Sequence, residues 1–344
     1  MGAAPLPGEG MDGPVCSPTH GRAGALTLPA MAQPARITDT RAVPLSSGSY
    51  TSLHRLLALL EAMRPKQWFK NVFVLAGLVF GGQLFDPVSC IRALACFAMF
   101  CAASSAVYLI NDVFDRSQDA HHPTKRLRPI ASGRLPVGAA VCAAGVLAVF
   151  AIAGAATLSL ATFLVLALYL ASCAAYSSGL KRVFILDVLI VSSGFVLRAA
   201  AGAAAVRAEI SPWLICCTFL LALYLALGKR RNELTLLRES AIQHRKNLGS
   251  YSVPLLDSWL TALSGATIVC YALYTQSPRT IENFHTTNLL YTVPFVIYAL
   301  FRYQHLVVRK DEGGDPGSSV LRDRGMVTAI LAWAAVAAVI IYWR

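Results

Sequence analysis

Three of the chain's eleven aspartates fall within nine residues, in Asn111-Asp112-Val113-Phe114-Asp115-Arg116-Ser117-Gln118-Asp119. On a helix, positions 111 or 112, 115 and 119 follow one another down a single face. Carboxylates stacked in this way repel one another unless a cation holds them. Hard oxygen donors, few in number, suit Mg²⁺ bound together with substrate phosphates. A solvated acidic helix end is the plain alternative, but three acids at one place stand out in a chain with only 18 Asp and Glu. His121 and His122 come next and, beside so many oxygens, read as non-ligands. Pro123-Thr124-Lys125-Arg126-Leu127-Arg128-Pro129 then sets three cations between two prolines. Arg grips phosphate through two parallel hydrogen bonds and Lys acts as a point charge. A positive-inside bias explains basic residues here, but not their adjacency to the acids.

A similar pairing recurs further on. Tyr176-Ser177-Ser178-Gly179-Leu180-Lys181-Arg182 leads into an apolar run that carries Asp187 and Arg198. Ionisable residues inside such runs are costly and usually face a polar cavity; a salt bridge between helices is the simpler reading. The two lie eleven residues apart, about three helical turns or ~16 Å. Two more basic segments, Arg64-Pro65-Lys66-Gln67-Trp68-Phe69-Lys70-Asn71 and Lys229-Arg230-Arg231-Asn232-Glu233, fit equally an interfacial anchor and cations reaching into a cavity.

The elements that must position these residues are apolar. Of 344 residues, 56% are hydrophobic and 14% charged, against about 25% charged in a soluble domain. The apolar residues fall in nine runs, roughly 72–85, 88–110, 137–156, 158–176, 184–205, 212–228, 255–275, 288–301 and 326–342. They lack the alternation of a membrane barrel, and a helix needs about 20 residues to cross a bilayer. The expected fold is therefore all-α, a polytopic membrane protein of nine spans. Alternate loops hold eighteen Lys and Arg against three (Arg92, Arg207, Arg279). That places the N-terminus in the cytoplasm, the C-terminus opposite and the acid motifs at the cytoplasmic face. The net charge of +12 sits in short loops, not on one continuous basic face, which argues against a nucleic-acid partner. Nine cysteines without a CxxC pair, most of them within apolar runs, read as small buried hydrophobes, not as a disulfide framework or a zinc site. Residues 1–54, rich in Gly, Ala, Pro and Ser, read as a disordered tail or as residues upstream of the natural start, with Met11 and Met31 as further candidates. Residues 55–344 form the membrane domain.

Taken in order, RPKQWFKN at 64–71, NDVFDRSQDAHHPTKRLRPIASG at 111–133, YSSGLK at 176–181, DVLIVSSGFVLRAAAG at 187–202 and GKRRNEL at 228–234 resemble the UbiA superfamily of membrane prenyltransferases. Within it they resemble the decaprenyl-phosphate phosphoribosyltransferase branch. The resemblance covers roughly residues 60–342. Aromatic prenyltransferases of the superfamily often carry a second Asp-x-x-x-Asp; here Asp187 is followed four residues later by Val191, a departure that favours the phosphoribosyltransferase branch.

That resemblance implies a UbiA-type helical bundle in the inner or plasma membrane, with a polar cavity facing the cytoplasm. It implies transfer of phosphoribose from phosphoribosyl diphosphate to a polyprenyl phosphate, for a lipid-linked pentose or cell-wall glycan precursor, with Mg²⁺ (or Mn²⁺) held by Asn111, Asp112, Asp115 and Asp119. Asp112, Asp115 and Asp187 are the implied catalytic carboxylates. Lys66, Lys70, Lys125, Arg126, Arg128, Lys181, Lys229 and Arg230 would share the phosphates, with Gln67, Asn71, Tyr176 and Arg198 also along the substrate path. The acceptor phosphate is already an anion, so no general base is required. An aromatic prenyltransferase acting on 4-hydroxybenzoate or a similar ring is the alternative in the same fold. A lipid transporter is the alternative of another class, disfavoured because the charged clusters lie at one face and no pair of broken helices recurs. A homo-oligomer is compatible with all of these readings.

Overall fold

A computed structural model describes residues 52–209, 211–237, 250–309, 320 and 322–343. The tail expected at 1–54 lies outside the described residues up to position 51, as do Arg238, Arg245, Lys246 and Lys310 of the basic loops. The described residues contain no strand. Helices α1 (Ser52–Met63), α2 (Ala76–Phe80), α3 (Pro87–Phe114), α4 (Arg116–Ala120), α5 (Val137–Leu158) and α6 (Leu160–Ser178) make the first half. The second half holds α7 (Leu186–Val206), α8 (Pro212–Leu237), α9 (Val253–Thr275), α10 (Pro278–Phe284), α11 (Val293–Arg309) and α12 (Arg324–Tyr342).

Local chemistry starts and stops these helices. Asp86 caps α3, accepting from the Ser89 amide at 2.9 Å with Pro87 in the first turn. Ser159 caps α6 by accepting from Thr162 N at 3.0 Å, which lets α5 and α6 meet almost without a loop. Asp323 does the same for α12 through Met326 N at 2.9 Å. A side-chain oxygen of this kind satisfies an amide that the helix itself leaves open.

Among the described residues, seven helices (α3, α5, α6, α7, α8, α9 and α12) are long and apolar enough to cross a membrane. The other two expected runs are helical but differently built. The first is a 3₁₀ helix over Pro65–Leu75 that passes into α2 and stops at Gly81 and Gly82. The run at 288–301 is a 3₁₀ turn over Asn288–Thr292 followed by the 17 residues of α11. The stop of the first run falls at Gly81 and Gly82, the latter at φ 69, a backbone conformation that glycine adopts without steric cost. A chain this apolar shows its greasy side to lipid: Val149 on α5 and Leu160 on α6 are 68% and 71% exposed.

Burial ranks the helices. The apolar windows of α3 and α7 are 56% and 50% buried, against 17% for α5, α6 and α12. The two most enclosed helices are thus the two that carry the acid motifs. Small residues let them pack closely: Ala102, Ala103, Ser104, Ser105 and Ala106 on α3, and Ala199, Ala201, Gly202, Ala203 and Ala205 on α7 are all buried. Without a hydrophobic drive between helices in lipid, such close backbone approach is the main source of association. Gly202 is the tightest point; a Cβ there would overlap the Val74 carbonyl of the 3₁₀ segment, and one on Gly77 would overlap the Ala203 backbone.

Candidate functional site

Because α3, α5, α6 and α7 follow one another as antiparallel neighbours, the end of α3 and the start of α7 lie at the same end of the bundle. Asp112 occupies the last turn of α3, Asp115 joins α3 to α4, and Asp119 lies in α4. The amide of Asp115 donates to Asn111 O at 2.9 Å and that of Asp119 to Asp115 O at 2.8 Å. The four-residue step therefore continues across the joint, as the spacing predicts. Asp112 and Asp119 are buried at 3% exposure each, whereas Asn111 and Asp115 are half-buried.

The cations that meet these acids are guanidiniums. Arg128 Nη1 donates to Asp119 Oδ2 at 2.6 Å and to Asp112 Oδ1 at 3.1 Å. Arg64 Nη2 donates to the same Asp112 oxygen at 2.5 Å and its guanidinium lies 4.8 Å from the centre of the Tyr108 ring. Arg64 has φ 56 and ψ 60, a left-handed conformation at the joint between α1 and the 3₁₀ segment. Non-glycine residues reach it only at a cost, commonly found at functional sites.

Among the described residues no three His, Cys, Asp or Glu side chains converge to hold a metal by themselves. The donor set nevertheless fits one when phosphate completes it. One nitrogen of Arg128 touches both buried carboxylates, so a single cation position serves both Asp112 and Asp119. One or two carboxylates plus substrate phosphates is the usual Mg²⁺ arrangement. His121 Nδ1 pairs with Ser117 O at 2.8 Å, and His122 Nδ1 accepts from the Thr124 and Lys125 amides at 3.2 and 3.3 Å; both rings shape the turn that delivers Arg128.

The second cluster forms around Asp187, 1% exposed in the first turn of α7. Its Oδ2 accepts from Arg230 Nε at 3.0 Å and lies 2.8 Å from Nη2; its Oδ1 accepts from the Tyr251 hydroxyl at 2.8 Å. Tyr251 in turn accepts from the Ile185 amide at 3.1 Å. Arg230 also donates to Glu233 at 2.6 Å, one turn along α8, and lies within electrostatic range of Tyr176. Burial, followed by the hydrogen bond to Asp187, pushes the Tyr251 phenol above its ordinary value. Val191, four residues after Asp187, is 39% exposed.

A third group lies deeper along α7. Arg198 is buried and donates to Asn71 Oδ1, Gly194 O and the Tyr169 hydroxyl, each at 2.8 Å. All three acceptors are neutral, and the Tyr169 and Phe195 rings flank the guanidinium at 4.7 and 5.4 Å. The Asn71 amide donates to Ser104 Oγ at 3.3 Å, and Trp68 Nε1 to Ser105 Oγ at 3.0 Å. Tyr108 interacts electrostatically with both Arg64 and Arg198, linking this group to the first acid cluster.

The structure thus brings Asp112, Asp119 and Arg128 together, Asp187 with Arg230, and Arg198 with Asn71. Lys66, Lys125, Arg126 and Lys229 are exposed, while Gln67, Lys70, Tyr176 and Lys181 are half-buried. Arg64, Tyr108, Tyr169, Glu233 and Tyr251 join the clusters without having been singled out from sequence. Arg64 stood in a quoted motif, but the tyrosines carry no charge and give no signal in an aromatic-rich chain. Cys142 and Cys216 face outward, and only Cys96, Cys101 and Cys270 of those in apolar runs are buried. On the flank of α6, α7 and α8 an apolar groove of 570 Å³ is lined by Leu168, Ile190, Val196 and Phe219.

A helical bundle with apolar outer flanks, its two most enclosed helices carrying buried acid–arginine clusters, defines a multi-pass membrane protein. The UbiA prenyltransferase family matches residues 71–322, and the chain belongs to that family. It is 37% identical over 298 residues to the decaprenyl-phosphate phosphoribosyltransferase of Mycolicibacterium smegmatis, covering 83% of this chain and 92% of the relative. Identity to the Corynebacterium glutamicum protein of the same description is 37% over 283 residues, covering 80% and 84%. Among solved structures, a UbiA homolog from Archaeoglobus fulgidus bound to GPP and Mg²⁺ superposes with a TM-score of 0.61 at 17% identity, covering 83% of this chain and 96% of that one. The same homolog has been solved with Cd²⁺, so that relative binds divalent metal.

Proposed function

We propose that this protein transfers 5-phosphoribose from phosphoribosyl diphosphate to decaprenyl phosphate or a similar polyprenyl phosphate. The carrying observation is the 37% identity, over four-fifths of the chain, to relatives described as decaprenyl-phosphate phosphoribosyltransferases. In the reaction an oxygen of the acceptor phosphate bonds to ribose C1 as the bond from C1 to the diphosphate oxygen breaks, and diphosphate leaves. Asp112 and Asp119, with Asn111 and Asp115 beside them, are the residues that would hold Mg²⁺, which when bound neutralises the leaving diphosphate as a Lewis acid. Asp187, oriented by Arg230 and Tyr251, is suited to stabilise positive charge developing at C1. Arg64, Arg128 and Arg198, with Lys66, Lys70, Lys125, Arg126, Lys181 and Lys229 around the rim, supply the charge needed for a soluble donor rich in phosphate. The groove on α6–α8 offers the acceptor's apolar tail a seat in the lipid phase. The site faces the cytoplasm in this proposal, supported by the concentration of Lys and Arg at that end.

The test is direct. Purified protein given phosphoribosyl diphosphate, Mg²⁺ and decaprenyl phosphate should release diphosphate and yield a lipid-linked phosphoribose. Prenylation of 4-hydroxybenzoate from geranyl diphosphate, with no pentose transfer, would replace this reading with the aromatic prenyltransferase.

A further inference from the structure

Asp112 and Asp119 are almost wholly enclosed, with side chains 4% exposed, whereas the side chains of Arg64 and Arg128 are 29% and 28% exposed. The acids are fixed in the bundle; the arginines reach them from the water side. Two buried carboxylates that touch one nitrogen repel each other strongly at low dielectric. Arg128 relieves that repulsion by bridging them at 2.6 and 3.1 Å, and Arg64 adds a second positive group on the same Asp112 oxygen at 2.5 Å. A divalent cation serving both carboxylates would use the same oxygens and the same space, so metal and guanidinium compete. An arginine displaced from a carboxylate is left without its partner unless another anion is present. A diphosphate is such an anion and accepts the paired hydrogen bonds that a guanidinium offers.

We propose that Arg64 and Arg128 are exchangeable counter-ions. They hold Asp112 and Asp119 in the empty enzyme and pass to the donor's diphosphate when metal takes the carboxylates. The proposal rests on the metal-dependent transferase reading above and adds an order to it: metal and donor enter as one unit, each weak without the other. The left-handed backbone at Arg64 suits this role, because it turns the side chain back over Tyr108 toward Asp112 at the start of the membrane domain. A metal site closed by its own arginines would stay empty until the donor arrives.

Mn²⁺ binding to the purified full-length protein, followed by electron paramagnetic resonance and corrected for metal held by the donor in solution, tests the exchange without relying on turnover. Wild-type protein should bind Mn²⁺ weakly alone and, as coupled ligands typically differ by 5–150-fold, roughly tenfold or more tightly with phosphoribosyl diphosphate. Arg128→Gln should bind Mn²⁺ alone more tightly than wild type and lose most of the gain from the donor. Arg64→Gln, touching only Asp112, should move the same way by less, and it decides the matter if Arg128→Gln does not fold. If neither variant binds Mn²⁺ alone better than wild type, while wild type still takes up metal with the donor, the exchange is overturned and the metal reading stands. If no protein binds Mn²⁺ under any condition, the metal reading falls and the exchange with it.

Discussion

Asp187 is held from two sides, by the guanidinium of Arg230 and by the hydroxyl of Tyr251. The tyrosine also ties down the Ile185 amide at the start of α7. Removing that hydroxyl leaves a buried carboxylate one donor short, a loss of about 1.5–3 kcal/mol for a hydrogen bond to a charged group. Tyr251→Phe should therefore lower the melting temperature and reduce kcat/KM, while Asp187→Asn should nearly abolish turnover; differential scanning fluorimetry and product assay check both. The phenol's folded value is raised above its ordinary value of about 10, so the stabilisation it gives is complete below that pH. It disappears only as pH climbs through the raised value. The stability gap between wild type and Tyr251→Phe should stay constant from pH 7 to about pH 9, and a gap closing in that interval would contradict the pairing. At the first cluster, Asp115 takes no part in the arginine bridge and Asp112 is its centre. Asp115→Ala should cost activity with little change in melting temperature, whereas Asp112→Ala should cost both, because it takes the carboxylate from Arg64 and leaves Arg128 with Asp119 alone.

The segment before α2 is a 3₁₀ helix that crosses α7 at Gly202. This crossing brings Asn71 to Arg198. A methyl group at Gly202 would meet backbone, which cannot swing aside as a side chain can. Gly202→Ala should destabilise the protein by about 1–3 kcal/mol, the usual range for overpacking, and weaken activity through the Asn71–Arg198 contact. Thermal unfolding of the variant in detergent measures the first effect. An unchanged melting temperature would mean that the segment does not sit against α7 as described.

The whole molecule places its acid–arginine clusters at one end and most of its loop cations at the same end. With that end in the cytoplasm, as proposed, a phosphorylated donor arriving from there would meet it first. Phosphoribosyl diphosphate with Mg²⁺ should raise the melting temperature, since a ligand at 100 times its Kd contributes about 2.7 kcal/mol to the folded state; geranyl diphosphate should do less. Inverted membrane vesicles should use externally added donor, and right-side-out vesicles should not. Turnover only in the latter would reverse the orientation.

Apolar runs, caps and charge bias are local properties, so the helical membrane architecture, the acid motif, the basic loop after it and the odd Asp187 and Arg198 inside an apolar run were all legible in the chain itself. Helical spacing also predicted that Asp112, Asp115 and Asp119 follow one face, because a four-residue step depends on nothing outside the helix. Partners were a different matter. Arg64 and Arg128 stand 48 and 16 residues from Asp112, Arg230 and Tyr251 stand 43 and 64 residues from Asp187, and no periodicity relates such distances. Tertiary packing of several elements brought these groups together: Arg64 comes from the joint after α1, Arg128 from the loop before α5, Arg230 from α8 and Tyr251 from the segment before α9. Packing of α8 against α7 also separated a buried Arg230 from an exposed Lys229 next to it, since adjacent helical residues point about 100° apart and only one of the two can face the interior.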